Sequence, residues 1–582
     1  MCGIFGCTEC SQAAQVAARR ALGTLKHRGP DQWGEKLFND GVYLGHRRLS
    51  ILDLSEQGKQ PMYSEEHQVA IMVNGEIYNY QKLKLNLKDK YKFKSTSDSE
   101  VVLFGYIEWG IEGLLERIDG MYAICVYDVK EAKVFLARDR VGIKPLYYAQ
   151  QGGRFCWGSE LKAIESILGD TLTVDYTACY DFLTYLYVPS PKTLYKDVFK
   201  LEPAHYVAIF LRKRVVEKKR YWRLDATVQI QTFEQASANL SLLVSKSVGE
   251  QMVSDVPVGF FLSGGIDSSA VVCAASKLRN EISSFTIGFE EKEHDEREYA
   301  QLVATKFGTV HHSRVLSQSA VDGMFSRLRK WYDEPFGDTS AFPTFLVSEF
   351  ARESVTVVLT GEGGDELFGG YTWYKQYGTF RDARLPFAQS LRPMFTQLKR
   401  MCNNPLLHRV TARLESHCMQ DDLELYAKLM GGMIRSEKQH YRNLWGLDSG
   451  YDDYWHFRKY YREDLPLRTR LQYMDFHTYL PDDILTKVDR VSMAVSLEAR
   501  VPLLSQEIVE FAFSLPEEVR FYKDRLKGLL RTTFASELPS KVLNRRKMGF
   551  CLPPSVLCDL VGSHGYRQVK ILKELYPNVV AF

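Results

Sequence analysis

Residues 256–269 read Val-Pro-Val-Gly-Phe-Phe-Leu-Ser-Gly-Gly-Ile-Asp-Ser-Ser. Val256–Leu262 is an apolar run of the kind that forms a strand buried on both faces. Ser263–Ser269 follows as a turn of Gly, Ser and Asp, and Ser269–Leu278 has the pattern of a helix. A strand that feeds a helix through paired glycines gathers backbone N–H groups and the positive helix end at one point, where they can cradle an anion. Without a Cβ, the glycines let the backbone come close to a phosphate. No Gly-Lys-Ser/Thr follows, so this is not a Walker A loop, and the Gly-x-Gly-x-x-Gly spacing of a dinucleotide site is missing.

The alternation continues outward. Ala236–Met252 precedes the strand as a helix; Ile282–Phe289 (strand), Glu296–Phe307 (helix) and Val355–Thr360 (strand) follow it. This order predicts a doubly wound α/β unit with a parallel sheet and helices on both faces. Beyond Gly370 the chain reads as mainly helical. The loop after Val355–Thr360 is Thr-Gly-Glu-Gly-Gly-Asp-Glu-Leu-Phe-Gly-Gly-Tyr, residues 360–371. Three acids among its five glycines have no packing rationale. Acids do not bind phosphate, but they hold Mg²⁺ that does. Asp267 and Asp365 are expected to end adjacent strands, where open α/β sheets take their ligands.

Residues 1 to about 205 differ. Short strands such as Val69–Val73, Tyr122–Tyr127 and Lys133–Ala137 alternate with turn signals, and a helix is expected over Ser99–Trp109. The charged stretch Leu211–Trp222 reads as a solvated hairpin or linker, since no wider basic face supports a nucleic-acid patch. Length alone, at roughly 150 residues per domain, suggests about four units; the motifs resolve two, 2–210 and 235–582. Lys+Arg 75 against Asp+Glu 72 leaves +3, so no attraction to nucleic acid or to an anionic membrane is implied. No apolar run approaches the ~18 residues of a membrane span, and the N-terminus lacks a secretory pattern. With 11 cysteines in 582 residues, a disulfide scaffold is excluded and a cytoplasmic enzyme is expected.

Three cysteines, Cys2, Cys7 and Cys10, crowd the N-terminus. Their C-x₄-C-x₂-C spacing is that of a plant-type iron–sulfur site, although the next cysteine is the distant Cys125. A second reading makes Cys2 a nucleophile. A small second residue is compatible with loss of Met1, which frees an α-amine of pKa near ~8 to act as base beside the thiol. An inert terminal cysteine is the third.

Residues 263–269 resemble the pyrophosphate loop of ATP pyrophosphatases. With residues 360–371, Asp333–Phe336, Leu480–Arg490 and Ser496–Leu503, the chain resembles the synthetase domain of glutamine-hydrolysing asparagine synthetases. Met1–Gly6, His27–Asp31, Gly45–Ile51 and Asn74–Asn79 resemble the glutaminase domain of N-terminal-nucleophile amidotransferases, which is an α+β sandwich of two antiparallel sheets between helices.

The resemblance implies Cys2 as nucleophile and Asn74 with the Gly75 N–H as oxyanion hole. Glutamine would be held by Arg48 at its α-carboxylate, by Glu76 and Asp98 at its α-amine, and by the backbone of Leu49, Ser50, Ile51 and Leu52. Leu262, Ile287, Thr360 and Gly361 would line an adenosine pocket. Ser263, Gly264, Gly265, Asp267 and Ser268 would hold the pyrophosphate, with Asp267 and Asp365 on Mg²⁺, Lys527 offsetting charge, and Glu362 as the late base toward ammonia. Arg28 is expected near the interdomain surface, and Asp139–Tyr147 carries no chemistry. The implied partners are L-glutamine, ATP and L-aspartate, with another carboxylate such as a uronic acid as the alternative acceptor. A homodimer is the expected assembly. The stretch Gly337–Pro343 would carry acceptor recognition, with no clamp for an aspartate α-carboxylate assigned within it, and the tail Cys551–Phe582 has no family pattern.

Overall fold

The computed structural model describes residues 2–577 except 292, 294, 318–322, most of 385–413, 546–548, 550–551 and 553–566. Met1 and most of the tail Cys551–Phe582 thus lie outside the described residues. The N-terminal region contains two antiparallel six-stranded sheets. One has the order Val198–Lys200, Tyr147–Gln151, Arg154–Gly158, Cys2–Cys7, Tyr43–Arg48, Gln32–Leu37. The other has the order Val215–Arg220, His205–Phe210, Lys133–Arg138, Gly120–Asp128, Val69–Ile77, Met62–Ser64. Alternate residues point to opposite faces of a strand. Ile4, Leu44 and Trp157 of the first sheet therefore meet Met72, Cys125 and Val207 of the second in one core. On the outer faces, Phe5 and Tyr43 lie under Leu22 and Ile164, while Val73 and Ile124 lie under Val101 and Leu114. The result is a helix–sheet–sheet–helix sandwich.

The helix expected over Ser99–Trp109 runs over Glu100–Arg117, interrupted at Gly110, whose φ of 68° only glycine adopts cheaply. Leu211–Trp222 forms a hairpin: Val215–Arg220 pairs with His205–Phe210, and its lysines face solvent on a sheet edge, which blocks further pairing.

The C-terminal region is built on a parallel sheet in the order Val310–Leu316, Ser283–Phe289, Val258–Phe261, Val357–Leu359, Glu498–Arg500. Phe260 and Leu359 face the helices Phe233–Gln251 and Ile266–Ser276. Val358 and Phe285 face Ala341–Arg352 and Thr486–Met493 on the other side. Chain order reverses between Val258–Phe261 and Val357–Leu359, which makes their carboxyl ends the switch point of the sheet. No described helix is long and apolar enough to cross a membrane.

Several boundaries differ from expectation. The strand within 256–262 shortens to Val258–Phe261, because Pro257 has no N–H for the ladder. The turn is also shorter: Gly265 caps a helix that starts at Ile266, so Asp267 and Ser268 occupy its first turn. The helix expected from Ala236 starts at Phe233, where Thr232 and Gln235 form a reciprocal capping box. The edge strand Glu498–Arg500 has no apolar signature and was not anticipated.

Candidate functional site

At the switch point lies a cavity of about 630 Å³, a volume suited to a nucleotide-sized ligand. Its wall combines Leu262, Ser263, Gly265, Asp267 and Ser268 with Ile287, Thr360, Gly361, Glu362, Asp365 and Lys527. Of the residues expected at the nucleotide, Gly264 alone is missing from this wall. It makes the turn instead, with φ 65°, and a Cβ there would lie 2.6 Å from the backbone of Tyr299 and Ala300. The two loops touch: a Cβ on Gly361 would lie 2.6 Å from Ser268 N, and one on Gly364 would lie 2.4 Å from Asp267 Oδ1. The helix start brings its free N–H groups to the same space.

Lys527 stands between the two aspartates, 2.7 Å from Asp365 Oδ1 and bonded to Asp267. Both carboxylates therefore face a single cation. Mg²⁺ is commonly held by one or two carboxylates plus phosphate oxygens, so this donor set fits it once a nucleotide is bound. Among the described residues no group of three or more His, Cys, Asp or Glu could hold a metal without such help.

The same cavity is also lined by Asp338, Ser340, Tyr371 and Lys487, alongside Glu362. Burial pushes the Glu362 carboxyl up, and Lys487 opposes it. Burial would raise Asp338 as well, but Lys487 at 3.3 Å and the Ser340 donors hold it at about 2. Asp338 and Ser340 belong to the stretch expected to carry acceptor recognition, whereas the sequence gives Lys487 no role. A signal was present, since Lys487 interrupts the acid-rich motif Leu480–Arg490.

The second site sits on the N-terminal sandwich. Cys2 is directly opposite Arg48 in the antiparallel register. Its backbone N–H donates to Asn74 Oδ1 at 2.9 Å, whereas Asn74 Nδ2 is buried without a hydrogen-bond partner. Gly75 has φ 143°, and a Cβ there would lie 1.9 Å from the Met121 carbonyl oxygen, so no other residue fits. Burial pushes the Cys2 thiol up, against the Leu49 N–H and the Arg48 guanidinium.

Arg48 is not a free clamp. Its Nη1 donates to Gln32 Oε1 at 2.8 Å and to the Ser55 carbonyl at 3.2 Å; its Nη2 donates to the carbonyls of Leu52 and Asp53 at 2.9 and 2.5 Å. The guanidinium thereby shapes the loop 49–58. Leu49, Ile51 and Leu52 turn their side chains into the core shared with the C-terminal region, while the Ile51 carbonyl accepts the Asp255 N–H at 2.9 Å. Asp98 Oδ2 accepts the Ile77 N–H at 2.7 Å and so braces the strand that carries Asn74, Gly75 and Glu76. Burial, Asp98 and Glu498 push the Glu76 carboxyl well up, against Arg500.

The iron–sulfur reading does not survive. Cys2 and Cys7 are five residues apart on one strand, so they point to opposite faces and lie roughly 17 Å apart. Cys7 and Cys10 join Cys156 in an apolar core.

Between the sites runs a buried band of charge, as expected of Arg28. Its Nε donates to the Cys2 carbonyl at 3.1 Å, and its Nη1 and Nη2 bind Asp489 at 2.8 and 3.0 Å. Glu160 Oε1 accepts from Arg28 at 2.9 Å and faces Arg490 at 3.2 Å; Arg490 in turn bonds Asp333 and the Trp331 carbonyl. Buried charges of this kind persist only when each finds a partner. Asp489 shares the helix Thr486–Met493 with Lys487, so one helix contacts the surroundings of both sites.

A family model described as asparagine synthase matches residues 239–560, and one described as glutamine amidotransferase domain matches residues 1–222. Over 566 residues the chain is 33% identical to asparagine synthetase (glutamine-hydrolyzing) 1 of Bacillus subtilis (strain 168), covering 95% of this chain and 87% of that one. It is 38% identical over 395 residues to a putative asparagine synthetase (glutamine-hydrolyzing) 2 of Methanocaldococcus jannaschii, covering 64% of this chain and 76% of that one. A putative asparagine synthetase (glutamine-hydrolyzing) of Mycobacterium tuberculosis (strain ATCC 25618 / H37Rv) is 32% identical over 574 residues, 93% of this chain and 84% of that one. With both halves matched in order, the chain belongs to the asparagine synthase family of glutamine-dependent amidotransferases, carbon–nitrogen ligases that draw their amide nitrogen from glutamine.

Proposed function

We propose that the protein makes L-asparagine by the reaction ATP + L-aspartate + L-glutamine + H₂O → L-asparagine + L-glutamate + AMP + pyrophosphate. Residues 2–210 act as the glutaminase and 235–582 as the synthetase, in the cytoplasm and as a homodimer. The observation that carries the reading is the switch-point cavity, where the phosphate-type loop, Lys527, Asp267, Asp365 and Glu362 face one space.

In the synthetase half, the N–H groups at Gly265–Ser268 hold the pyrophosphate end of ATP, and Leu262, Ile287, Thr360 and Gly361 enclose the adenosine. Asp267 and Asp365 would hold Mg²⁺, which would supply positive charge to the phosphate oxygens. A carboxylate oxygen of aspartate attacks the α-phosphorus and pyrophosphate leaves, which gives a β-aspartyl adenylate. Lys527 follows the charge onto the departing pyrophosphate, the main demand of this step. The raised Glu362 carboxyl stands where an attacking ammonia must shed a proton. Asp338 and Lys487 offer opposite charges to the α-ammonium and α-carboxylate of the acceptor.

In the glutaminase half, loss of Met1 turns the Cys2 N–H that binds Asn74 Oδ1 into an α-amine beside its own thiol. That amine takes the thiol proton, the thiolate attacks the glutamine amide, and the unpartnered Asn74 Nδ2 with the Gly75 N–H receives the oxyanion; its collapse breaks the C–N bond, the amine returns the proton to the leaving ammonia, and water then hydrolyses the Cys2 thioester to glutamate. Arg48, Leu49, Ser50, Ile51 and Leu52 frame the substrate, and Glu76 with Asp98 meets its α-amine. Ammonia then passes inside the protein, where it escapes protonation.

AMP release measured with ATP, glutamine and a panel of carboxylic acids tests the proposal. L-Aspartate is expected to stand at least tenfold above any other acceptor, a margin that a site with dedicated polar partners supplies (about 10²-fold or more). AMP release with a uronic acid and not with aspartate would reassign the acceptor.

A further inference from the structure

Arg500 ends the edge strand Glu498–Arg500 and is 1% exposed. It faces both sites. Its carbonyl accepts the N–H of Thr360 at 2.9 Å, the first residue of the acid-rich loop of the synthetase cavity. Its side chain runs the opposite way, into the N-terminal region. Nε donates to Glu498 Oε1 at 2.6 Å, and Nη1 donates to the carbonyls of Gln251 and Val253, both at 2.7 Å. Nη2 is buried with no hydrogen-bond partner, 3.7 Å from Glu76 Oε1. The guanidinium is thus anchored by two of its nitrogens and aims the third at the carboxylate expected to meet the α-amine of glutamine.

Glu76 needs such help. It is buried, and Asp98 and Glu498 add negative charge beside it. In a buried setting two further carboxylates favour the neutral acid, which cannot pair with an ammonium. Arg500 is the side-chain cation that opposes them.

We propose that Arg500, supplied by the synthetase sheet, is a positioning residue of the glutaminase: it holds Glu76 as a carboxylate aimed at the α-ammonium of glutamine. This rests on the reading that Glu76 binds that ammonium. The glutamine pocket is then complete only when the two halves are docked, and the strand that completes it is the one that holds Thr360. Because the bond to Thr360 uses the main chain, replacing the Arg500 side chain leaves the synthetase loop its support.

The test uses the full-length protein with Arg500→Gln, Arg500→Lys, Glu76→Gln and the Arg500→Gln/Glu76→Gln double variant. Glutamine-dependent and ammonium-dependent synthesis are followed in each. Arg500→Gln is expected to raise the KM for glutamine about tenfold or more while kcat stays within about threefold, and Arg500→Lys to recover most of the loss. Ammonium-dependent synthesis, which bypasses the pocket, stays within about twofold. The double variant is no worse than Glu76→Gln alone, because both remove one interaction. Equal loss of ammonium-dependent synthesis would make Arg500 a structural brace and overturn the proposal, as would multiplicative effects in the double variant. If Glu76→Gln leaves the KM for glutamine unchanged, the role of Glu76 itself fails. If it raises that KM and Arg500→Gln does not, only the role of Arg500 fails.

Discussion

Around Cys2 the functional atoms belong to strands; around Asp365 they belong to loops and helix starts. Cys2, Arg48 and the run Asn74–Glu76 all lie within strands of the sandwich; Arg48 is paired with Cys2 on one side and Gln32 on the other, and Asn74–Glu76 with Met121–Ala123. Ser263, Asp267, Glu362 and Asp365 follow the ends of two parallel strands, and Lys527 arrives from far along the chain at the start of Gly528–Thr533. The difference matches the chemistry proposed for each. Amide attack develops one oxyanion at one place, so a single rigid donor pair suffices. Adenylation moves charge across a polyphosphate, and its cations must rearrange: Lys527 now occupies the space between the two aspartates that a metal would share.

The largest effect should come from separating the sites at the rigid one. Cys2→Ala removes the nucleophile, and glutamine-dependent synthesis should fall by more than about 10³-fold. Synthesis from ammonium should persist, since the synthetase cavity contains no part of Cys2. Equal loss of both activities would erase the distinction between the sites. Mass spectrometry of the mature protein should find Cys2 first; retained Met1 would falsify the free-amine step.

At the loop-built site, Asp365→Asn keeps the shape and removes a charge. ATP–pyrophosphate exchange should drop by about 10²-fold, the usual scale for losing one electrostatic partner of a transition state. Glutaminase activity should survive. Unchanged exchange would take Asp365 out of the metal site.

The same contrast governs what was legible in the sequence. Residues 263–269 and 360–371 announce themselves because glycines and acids in those spacings serve no packing purpose. Cys2 announces itself by standing second in the chain, and Asn74–Glu76 by the motif around them. What stayed hidden depends on contacts that no local pattern encodes. Arg28 and Asp489 are 461 residues apart, yet bond within a buried band. Arg48 shows in sequence as a cation, but its hold on the carbonyls of Leu52 and Asp53 is a property of the folded loop. Glu498–Arg500 carries two charges and no apolar run, so nothing marks it as a strand; it becomes one because Val357–Leu359 offers it an open edge. Lys487 and Asp338 were in view as letters, and only the fold sets them 3.3 Å apart in the cavity wall.

The smallest expected effect concerns the seam rather than either site. Asp482 accepts from Ser190 N and Oγ at 2.8 and 2.5 Å and lies 3.2 Å from His456 Nε2. Burial alone would raise its pKa, but His456, Lys200 and Ser190 together hold it at about 2, below the ordinary 3.8. A depressed carboxyl stabilises the folded state above its unfolded pKa and loses that contribution as pH falls through its folded one. The difference corresponds to about 2 kcal/mol. In urea unfolding at pH 7, Asp482→Asn should therefore be less stable than the wild type by about that amount. At pH 3, inside the window between the two pKa values, the gap should shrink by about half. A gap that keeps its size would show that the Ser190 hydrogen bonds, not the charge, tie the strand-built half to the loop-built one.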